Sequence, residues 1–310
     1  MKADFNFLID FIFRNHLIHL PENIKSLQNL KVLDLSFNAL TSLPSGIVLV
    51  PSLRALLLTN LYLTELPEDI GLLVNLEVLE VRDNYMTTVP PTLSRLEQLQ
   101  RLDLGNNRIA KLCSLENCSE LSERLLDSNY LAEWPEGIGS MRKLTYLDLA
   151  SNNLEHIPDK ILTCQSLVHI LLGNNKISDI PENLFSMREL RVINLRGNYV
   201  SNLAVTELNK CGQVELEELI LSNNQLLYLP RHLAMFSTIS YLELANNCLN
   251  ELPDTISTMT SLRVLDVRNN ALLQLPFTIG ALPALTVLDL RGNLIQSLPA
   301  SVSQLVCLRY

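Results

Sequence analysis

One asparagine returns at a nearly fixed interval along the 310-residue chain, and most of the intervals are 23 residues long. Each copy stands in the same phrase, which reads close to L-x-x-L-x-L-x-x-N-x-L-x-x-L-P. A unit of this length cannot bury its own apolar side chains, so neighbouring copies must stack to form a continuous core. The period therefore predicts an elongated array of coils rather than separate globular domains.

The phrase and its period are typical of a leucine-rich repeat solenoid. The predicted fold class is α/β: a curved horseshoe with a parallel β-sheet on its concave side and short helical or 3₁₀ segments on its convex side. We expect the side-chain amide of each repeated asparagine to hydrogen-bond with backbone groups of its own turn and of neighbouring coils. This predicted asparagine ladder comprises Asn38, Asn84, Asn107, Asn129, Asn152, Asn175, Asn198, Asn224, Asn247, Asn270 and Asn293.

The repeat divides the chain into three parts. Residues 1–6 are a divergent start, residues 7–307 are one domain of 13 repeats, and residues 308–310 begin a truncated further repeat. The apolar stretch Met1–Phe13 resembles the core of a signal peptide, but Asp4 and Asp10 interrupt it and no small-residue cleavage site follows. A degraded first repeat is the favoured interpretation of this stretch.

Proline ends the phrase in most repeats, where its fixed φ angle and missing N–H suit the start of a convex segment. Four repeats depart from the phrase: Leu61 replaces the ladder asparagine, Cys113 and Ala204 replace the proline, and Arg124 takes an inward position. We expect the Arg124 side chain to snorkel to solvent. The prolines are Pro21, Pro44, Pro67, Pro90, Pro135, Pro158, Pro181, Pro230, Pro253, Pro276 and Pro299.

Composition and motifs exclude several classes of function. The formal charge of -9 argues against binding to nucleic acid or to an anionic membrane surface. The six cysteines are scattered, without C-x-x-C pairs or metal-ligand spacing, which favours reduced thiols and a cytoplasmic location. The sequence has no P-loop, H-E-x-x-H or G-x-S-x-G motif, so no catalytic residue, metal site or cofactor is predicted. Without a run of 18 apolar residues, no transmembrane helix is expected.

The order of the irregular repeats resembles that of the LAP proteins, the group that contains Scribble, Erbin and Lano. The resemblance covers residues 14–307 and includes the repeat around Leu61, the phrase Leu125-Leu126-Asp127 before Asn129, and the proline-less repeat that ends near Cys211. It implies a cytoplasmic scaffold of cell polarity and cell junctions, located at the cell cortex and basolateral membrane, with peripheral membrane association left open. The chain lacks the opening repeats and PDZ domains of that family, so we expect it to be a fragment.

Two rows of charged residues on the concave face are the predicted partner-binding site. The middle position of the strand is acidic in seven of twelve repeats, and arginine recurs two positions later. We expect these rows to bind a protein, through a basic or phosphorylated segment of a polarity protein. The competing explanation is structural, because Leu-Asp-Leu is a common phrase of such repeats. The predicted binding residues are Asp34, Glu80, Arg82, Asp103, Asp148, Arg196, Glu243, Asp266, Arg268, Asp289 and Arg291.

Two alternatives to the polarity scaffold stay open at this point. One is a Ras-pathway scaffold of the Shoc type, which is also built from 23-residue repeats that end in Leu-Pro. The other is the recognition domain of a larger ligase or phosphatase. The irregular repeats favour the polarity scaffold over both.

Overall fold

The computed structural model describes residues 12–203 and 214–309. The divergent start at residues 1–6, the insertion that contains Ala204 and Cys211, and the final residue Tyr310 lie outside this range. The chain divides into two compact units, residues 1–153 and 154–310, which we call the first and the second unit. The total of 13 repeats stays a prediction, because the strand of the first repeat also falls outside the described residues.

The first unit is a ladder of three-residue strands that pair in parallel, each with the next strand along the chain. The register advances by one coil at each step, so Leu33 pairs with Leu56 and Leu56 pairs with Leu79. The leucines in the middle of these strands are buried, because successive side chains of a strand point to opposite faces. The strands are β1 Val32–Asp34, β2 Ala55–Leu57, β3 Val78–Glu80, β4 Arg101–Asp103, β5 Glu123–Leu125 and β6 Tyr146–Asp148.

The second unit repeats this arrangement with six further parallel strands in chain order. Five residues of its inward row are fully buried, and Leu288 in the last strand is half-buried; the five are Ile170, Ile193, Leu219, Leu242 and Leu265. The strands are β7 His169–Leu171, β8 Val192–Asn194, β9 Glu218–Ile220, β10 Tyr241–Glu243, β11 Val264–Asp266 and β12 Val287–Asp289. The predicted class, a leucine-rich repeat solenoid with parallel strands and short convex segments, is confirmed.

Every one of the eleven predicted prolines precedes a 3₁₀ segment. In most coils the proline itself is the N-cap in an extended conformation, as Pro44 is with φ -68° and ψ 147°, and its carbonyl accepts the N–H of Ile47. The repeat with Cys113 in the proline position forms turns but no 3₁₀ segment among its described residues. The segments are Glu22–Ser26, Ser45–Leu49, Ile70–Leu72, Pro91–Arg95, Ile138–Ser140, Asp159–Thr163, Glu182–Ser186, Arg231–Met235, Asp254–Thr258, Phe277–Ala281 and Ala300–Gln304.

The asparagine ladder forms as predicted. Asn84 shows the pattern: its Oδ1 accepts the N–H of Leu63 at 3.0 Å, while its Nδ2 donates to the carbonyls of Leu58 in the preceding coil and Val81 in its own. These backbone groups have no strand partner at the turn, and leaving them unpaired in the interior would be costly. Leu61, which takes the ladder position of its repeat, is buried instead as an apolar side chain.

The residue before each ladder position adopts a left-handed backbone conformation. Positive φ angles recur there in both units, for example 58° at Asp83, 56° at Asn223 and 69° at Gly292. Asparagine, aspartate and glycine tolerate this region better than other residues, which explains their frequency at this position. In the second unit these side chains form an exposed ladder of their own, because Asn269 donates to Asn246 and Asn246 donates to Asn223, both at 2.8 Å.

The expectation that Arg124 snorkels to solvent is wrong. Arg124 does take the inward position of β5, where it pairs with Leu102, but its side chain is fully buried. Its Nη1 donates to the sulfur of Met141 at 3.4 Å. Burial raises the pKa of the neighbouring Cys118 thiol to about 11, and the positive charge of Arg124 opposes this rise. The interior of the first unit therefore contains a guanidinium group, which the leucine pattern gives no reason to expect.

Candidate functional site

The first and third residues of each strand, together with the residue two positions after the third, point away from the core and form what we call the open face of each unit. The seven acidic residues of the predicted site are the third residues of their strands. Asp103, Glu243 and Asp266 are nevertheless buried, and the other four are half-buried. This row is therefore less accessible to a partner than its position on the sheet suggests.

The aspartates in this row have a structural function. In each of them Oδ1 accepts the backbone N–H two residues later, at 2.9 Å in Asp34, 3.0 Å in Asp103 and Asp148, 3.1 Å in Asp266 and 3.2 Å in Asp289. Asn194 makes the same bond to Arg196 at 3.0 Å. Asp and Asn side chains readily form such turns with their own backbone. The Leu-Asp-Leu phrase thus ends the strand, a role that does not require a binding partner.

Arg82 is the centre of a charged network on the open face of the first unit. Its Nε lies 3.1 Å from both carboxylate oxygens of Asp103 in the next coil. Its terminal nitrogens form a two-pronged pair with Asp127, one coil further, with Nη1 at 3.1 Å from Oδ2. Burial lowers the pKa of Arg82, but the hydrogen bonds to Asp127 and the charge of Asp103 outweigh it and raise the pKa above its ordinary value.

Gly105 makes the long reach of Arg82 possible. It occupies the position equivalent to Arg82 in the coil between Arg82 and Asp127. A Cβ atom on Gly105 would collide with the Arg82 guanidinium and with Oδ1 of Asp127. Because Gly105 has no side chain, the Arg82 side chain passes over the coil of Gly105 and reaches Asp127 in the following coil.

Arg101 extends the same network towards the start of the strands. Its Nε donates to Glu80 at 2.9 Å, its Nη1 contacts Glu123, and its Nη2 lies 3.6 Å from Asp103. Four carboxylates, those of Glu80, Asp103, Glu123 and Asp127, thus surround two guanidinium groups. The network carries two more negative than positive charges.

Asp148 lies beside this network and titrates near neutral pH. Burial raises its pKa to about 6, and the charges of Asp127 and Asp103 add to the rise. The N–H of Ala150 and the charge of Arg82 oppose it. Like charges nearby and poor solvation thus both disfavour the ionised form of Asp148.

The open face of the second unit carries separate ion pairs instead of a network. Arg268 lies 3.2 Å from Asp266, Arg291 donates to Asp289 at 2.9 Å, and Arg196 approaches Glu243 at 3.6 Å. Each of these three carboxylates therefore has its own arginine. The hydrogen bond from Arg291 lowers the pKa of Asp289, whereas burial raises that of Asp266.

The structure thus brings most of the predicted charged residues together in small groups within each unit, whereas Asp34 bonds to its own turn. Their role in binding a partner stays a prediction. The sequence reasoning missed Arg101, Glu123 and Asp127, which complete the network of the first unit. Arg101 and Glu123 are the first residues of their strands, so tracing every outward position of each repeat, rather than one, could have found them.

Comparisons with known proteins agree with this architecture. Models of the leucine-rich repeat match residues 51–109, 142–200 and 214–272, and a further one matches residues 29–48. The search among curated proteins found no match. Among the described residues, no helix has both the length and the apolar character needed to cross a membrane.

Solved structures with the same fold include one from a bacterium and two from plants. A leucine-rich repeat protein of Leptospira interrogans is 30% identical, with a TM-score of 0.87 over 95% of this chain and 75% of that one. The plant peptide hormone receptor RGFR1 in complex with RGF2 is 24% identical, with a TM-score of 0.69 over 96% of this chain. The Arabidopsis receptor kinase HAESA in complex with the peptide hormone IDA and the co-receptor SERK1 is 24% identical, with a TM-score of 0.63 over 94%.

The chain spans 57% and 58% of the two plant structures, so their likeness shows the fold alone. The repeat models, by contrast, match more than half of this chain, and the bacterial relative is similar to it over 95% of this chain. Together with the parallel strands and the asparagine ladder, these matches establish that the chain belongs to the leucine-rich repeat family.

Proposed function

We propose that this chain is a non-enzymatic scaffold that holds a segment of a partner protein against the open face of its sheet. One observation carries the proposal: the second unit presents arginines above buried carboxylates. The side chains of Arg196, Arg268 and Arg291 are 51%, 39% and 75% exposed, whereas those of the paired carboxylates are between 9% and 16% exposed. Within these three ion pairs, the guanidinium groups are therefore the part that faces solvent.

Exposed guanidinium groups in neighbouring coils suit a phosphorylated or acidic segment. Arginine binds phosphate and carboxylate groups through two parallel hydrogen bonds. Arg268 and Arg291 occupy equivalent positions in adjacent coils, because Asp266 pairs with Asp289 in the strand register. Neighbouring strands lie about 4.8 Å apart, so one phosphate could contact both arginines. The negative excess of the first unit suits basic residues instead.

A role in cell polarity is supported by the resemblance to LAP proteins. The support comes from the order of the irregular repeats, in which a repeat with Leu61 in the ladder position precedes the Cys113 repeat and the longer proline-less repeat. Two structural relatives are described as complexes with peptide hormones, which is consistent with an extended peptide on this kind of sheet. We therefore propose that the chain acts at the cell cortex and at cell junctions.

Charge reversal on the open face tests the binding proposal. Phosphorylated and unphosphorylated peptides of the same sequence are titrated by fluorescence anisotropy against the wild type and the double variant Arg268→Glu/Arg291→Glu. We expect the phosphorylated peptides to bind the wild type more tightly and to lose at least about tenfold in affinity for the variant. The control is Arg188→Glu/Arg231→Glu, because Arg188 follows one 3₁₀ segment and Arg231 begins another, and both arginines are exposed. Equal losses in both variants would show that net charge, and not the open face, determines binding.

Localisation in cells tests the polarity role separately. A fluorescently tagged chain in polarised epithelial cells should concentrate at the lateral cortex, and the open-face variant should be diffuse. A wild-type chain that is evenly distributed would contradict the polarity role. Recovery of a Ras-family GTPase, a phosphatase or a ubiquitin ligase as the main partner would favour the alternative functions.

A further inference from the structure

A row of large exposed side chains lies along one edge of the first unit, at the residue after each of four consecutive ladder positions. The row consists of Tyr62, Tyr85, Arg108 and Tyr130, which we call the tyrosine edge. Each backbone N–H of the row donates to a carbonyl of the preceding coil at 2.8–2.9 Å, which fixes the four residues at equivalent positions. The row thus has a rigid backbone, although its side chains extend into solvent.

The side chains of this row contact one another through their flat faces. The rings of Tyr62 and Tyr85 stack with centroids 6.1 Å apart and an angle of 21° between their planes. The guanidinium of Arg108 lies 4.7 Å from the centre of the Tyr85 ring. Tyr62, Tyr85 and Tyr130 are nevertheless 51%, 40% and 58% exposed. Exposed tyrosines with an arginine among them are the composition that dominates binding energy at protein interfaces.

The repeat itself does not require aromatic residues at this position. In the second unit the equivalent residues are Lys176, Tyr199, Gln225, Cys248, Ala271 and Leu294, whose N–H groups make the same hydrogen bonds to the preceding coil. Any side chain is therefore compatible with the backbone here. The fold leaves the aromatic row of the first unit unexplained, while the exposure of that row suits an intermolecular contact.

The surroundings of the tyrosine edge indicate a cationic partner. Arg108 shows that a guanidinium plane packs on a tyrosine face of this edge, as expected for a cation–π contact. The exposed carboxylates of Glu65 and Glu133 each follow a tyrosine of the row by three residues. The adjoining open face of the first unit adds an excess of two negative charges. Flat aromatic faces beside carboxylates match the shape and charge of arginine better than those of lysine, which has no planar group.

We propose that the tyrosine edge binds an extended, arginine-bearing segment of a partner protein, with arginine side chains stacked on Tyr62 and Tyr130 and neutralised by the nearby carboxylates. This proposal rests on the proposed scaffold function and assigns it a second contact surface, distinct from the arginines of the second unit.

The test compares peptides that differ only in the chemistry of their cations. A fluorescein-labelled peptide of alternating arginine and serine, its lysine counterpart and a proline-rich peptide without charge are titrated against the whole chain. We expect the arginine peptide to bind at least about fivefold more tightly than the lysine peptide, since only the guanidinium stacks. Tyr62→Ala/Tyr130→Ala should remove this preference, whereas Tyr62→Phe/Tyr130→Phe should retain it because stacking needs the ring and not the hydroxyl.

Tyr199→Ala is the matched control, because Tyr199 holds the equivalent position in the second unit and is 52% exposed. This variant should bind the arginine peptide like the wild type. Equal affinity for the arginine and lysine peptides, or an unchanged preference in Tyr62→Ala/Tyr130→Ala, would overturn the proposal. Binding of the proline-rich peptide alone would also overturn it. Failure of the chain to reach the lateral cortex would contradict the polarity role without affecting these titrations, so the two proposals can fail separately.

Discussion

The open faces of the two units use the same positions of the same repeat, yet their charged residues are organised differently. In the first unit, Arg82 and Arg101 each contact carboxylates from more than one coil, and four acidic residues join in one network. In the second unit, Arg268 and Arg291 each pair with the aspartate two residues earlier in their own coil.

The difference arises from the residue in the neighbouring coil. Beyond Arg82 lies Gly105 and then Asp127, so the arginine can cross one coil and find a carboxylate in the next. Beyond Arg268 lies Arg291, whose like charge offers no such partner. The same backbone arrangement can therefore hold either a network of ion pairs across several coils or separate arginines exposed to solvent. The residue two positions after the strand in the neighbouring coil determines which of the two forms.

The largest effect is expected from the asparagine ladder, which the two units share. Asn107 and Asn247 each make four hydrogen bonds to backbone groups. Asn107→Ala and Asn247→Ala should each lower the free energy of unfolding by about 3 to 5 kcal/mol, because several buried groups lose their partners. Urea unfolding followed by circular dichroism measures the loss.

The ladder test needs a control at an exposed asparagine. Asn174 is exposed and has a φ angle of 56°, so Asn174→Gly keeps the left-handed conformation and should cost little. If one ladder variant loses much less stability than the other, the units differ in their backbone support as well as in their open faces.

The next effect concerns how the free energy of unfolding depends on pH through Asp148 of the first unit. Because the folded-state pKa of Asp148 is about 6, above its ordinary value of 3.8, ionisation of this residue opposes folding. The stabilising contribution of the protonated group is complete below pH 3.8 and is lost as the pH rises through 6. Asp148→Asn should therefore raise the free energy of unfolding at pH 8 by about 2 to 3 kcal/mol, with little difference from the wild type near pH 4.

Asparagine can replace the hydrogen bond of Asp148 to its turn, as Asn194 does in the second unit. Asp103→Asn is the contrasting variant, because Asp103 pairs with Arg82 and its loss should destabilise the protein at pH 8. Equal stability of Asp148→Asn and the wild type at both pH values would show that the carboxylate is well solvated.

The smallest effect compares two glycines at equivalent positions, Gly105 in the first unit and Gly173 in the second. A Cβ atom at Gly105 collides with Arg82, whereas at Gly173 its nearest contact is 3.4 Å, which is ordinary packing. Gly105→Ala should displace Arg82 from Asp127 and cost about 1 to 2 kcal/mol, while Gly173→Ala should be neutral or slightly stabilising. Thermal unfolding of both variants at low and high salt measures the difference. Equal effects would mean that the crossing of Arg82 contributes nothing to the network.

Much of the fold follows from the sequence because it depends on contacts that recur at every period. The ladder asparagines, the prolines before the 3₁₀ segments and the inward leucines each repeat the same local interaction, so one copy predicts the rest. Arg124 shows where this reasoning fails: its position was predicted correctly, but its exposure depends on the packing around it. The direction that the Arg124 side chain takes from its inward position determines whether the guanidinium group reaches solvent, and the repeat pattern does not specify that direction.

The candidate site was harder to predict, since its partners are 21 to 45 residues apart and depend on side-chain direction. Asp34 and Asp148 look like binding residues in the sequence, but each also accepts a hydrogen bond from its own turn. The tyrosine edge is visible in the sequence, because Asn84-Tyr85 and Asn129-Tyr130 place tyrosine directly after a ladder asparagine. The phrase of the repeat specifies no residue type after the asparagine, so the pattern itself gives this position no role.

The coil around Cys113, which has no 3₁₀ segment among its described residues, shows where the architecture tolerates change. It is one residue shorter than its neighbours, yet Leu102 still pairs with Arg124, and Asn129 still accepts the N–H of Ile109 at 2.9 Å. The missing residue was thus removed from the side around Cys113 without disturbing the strand or the ladder. The strands and the ladder asparagines thus set the stacking of the coils. The opposite side of a coil can change in length without shifting the register of the strands.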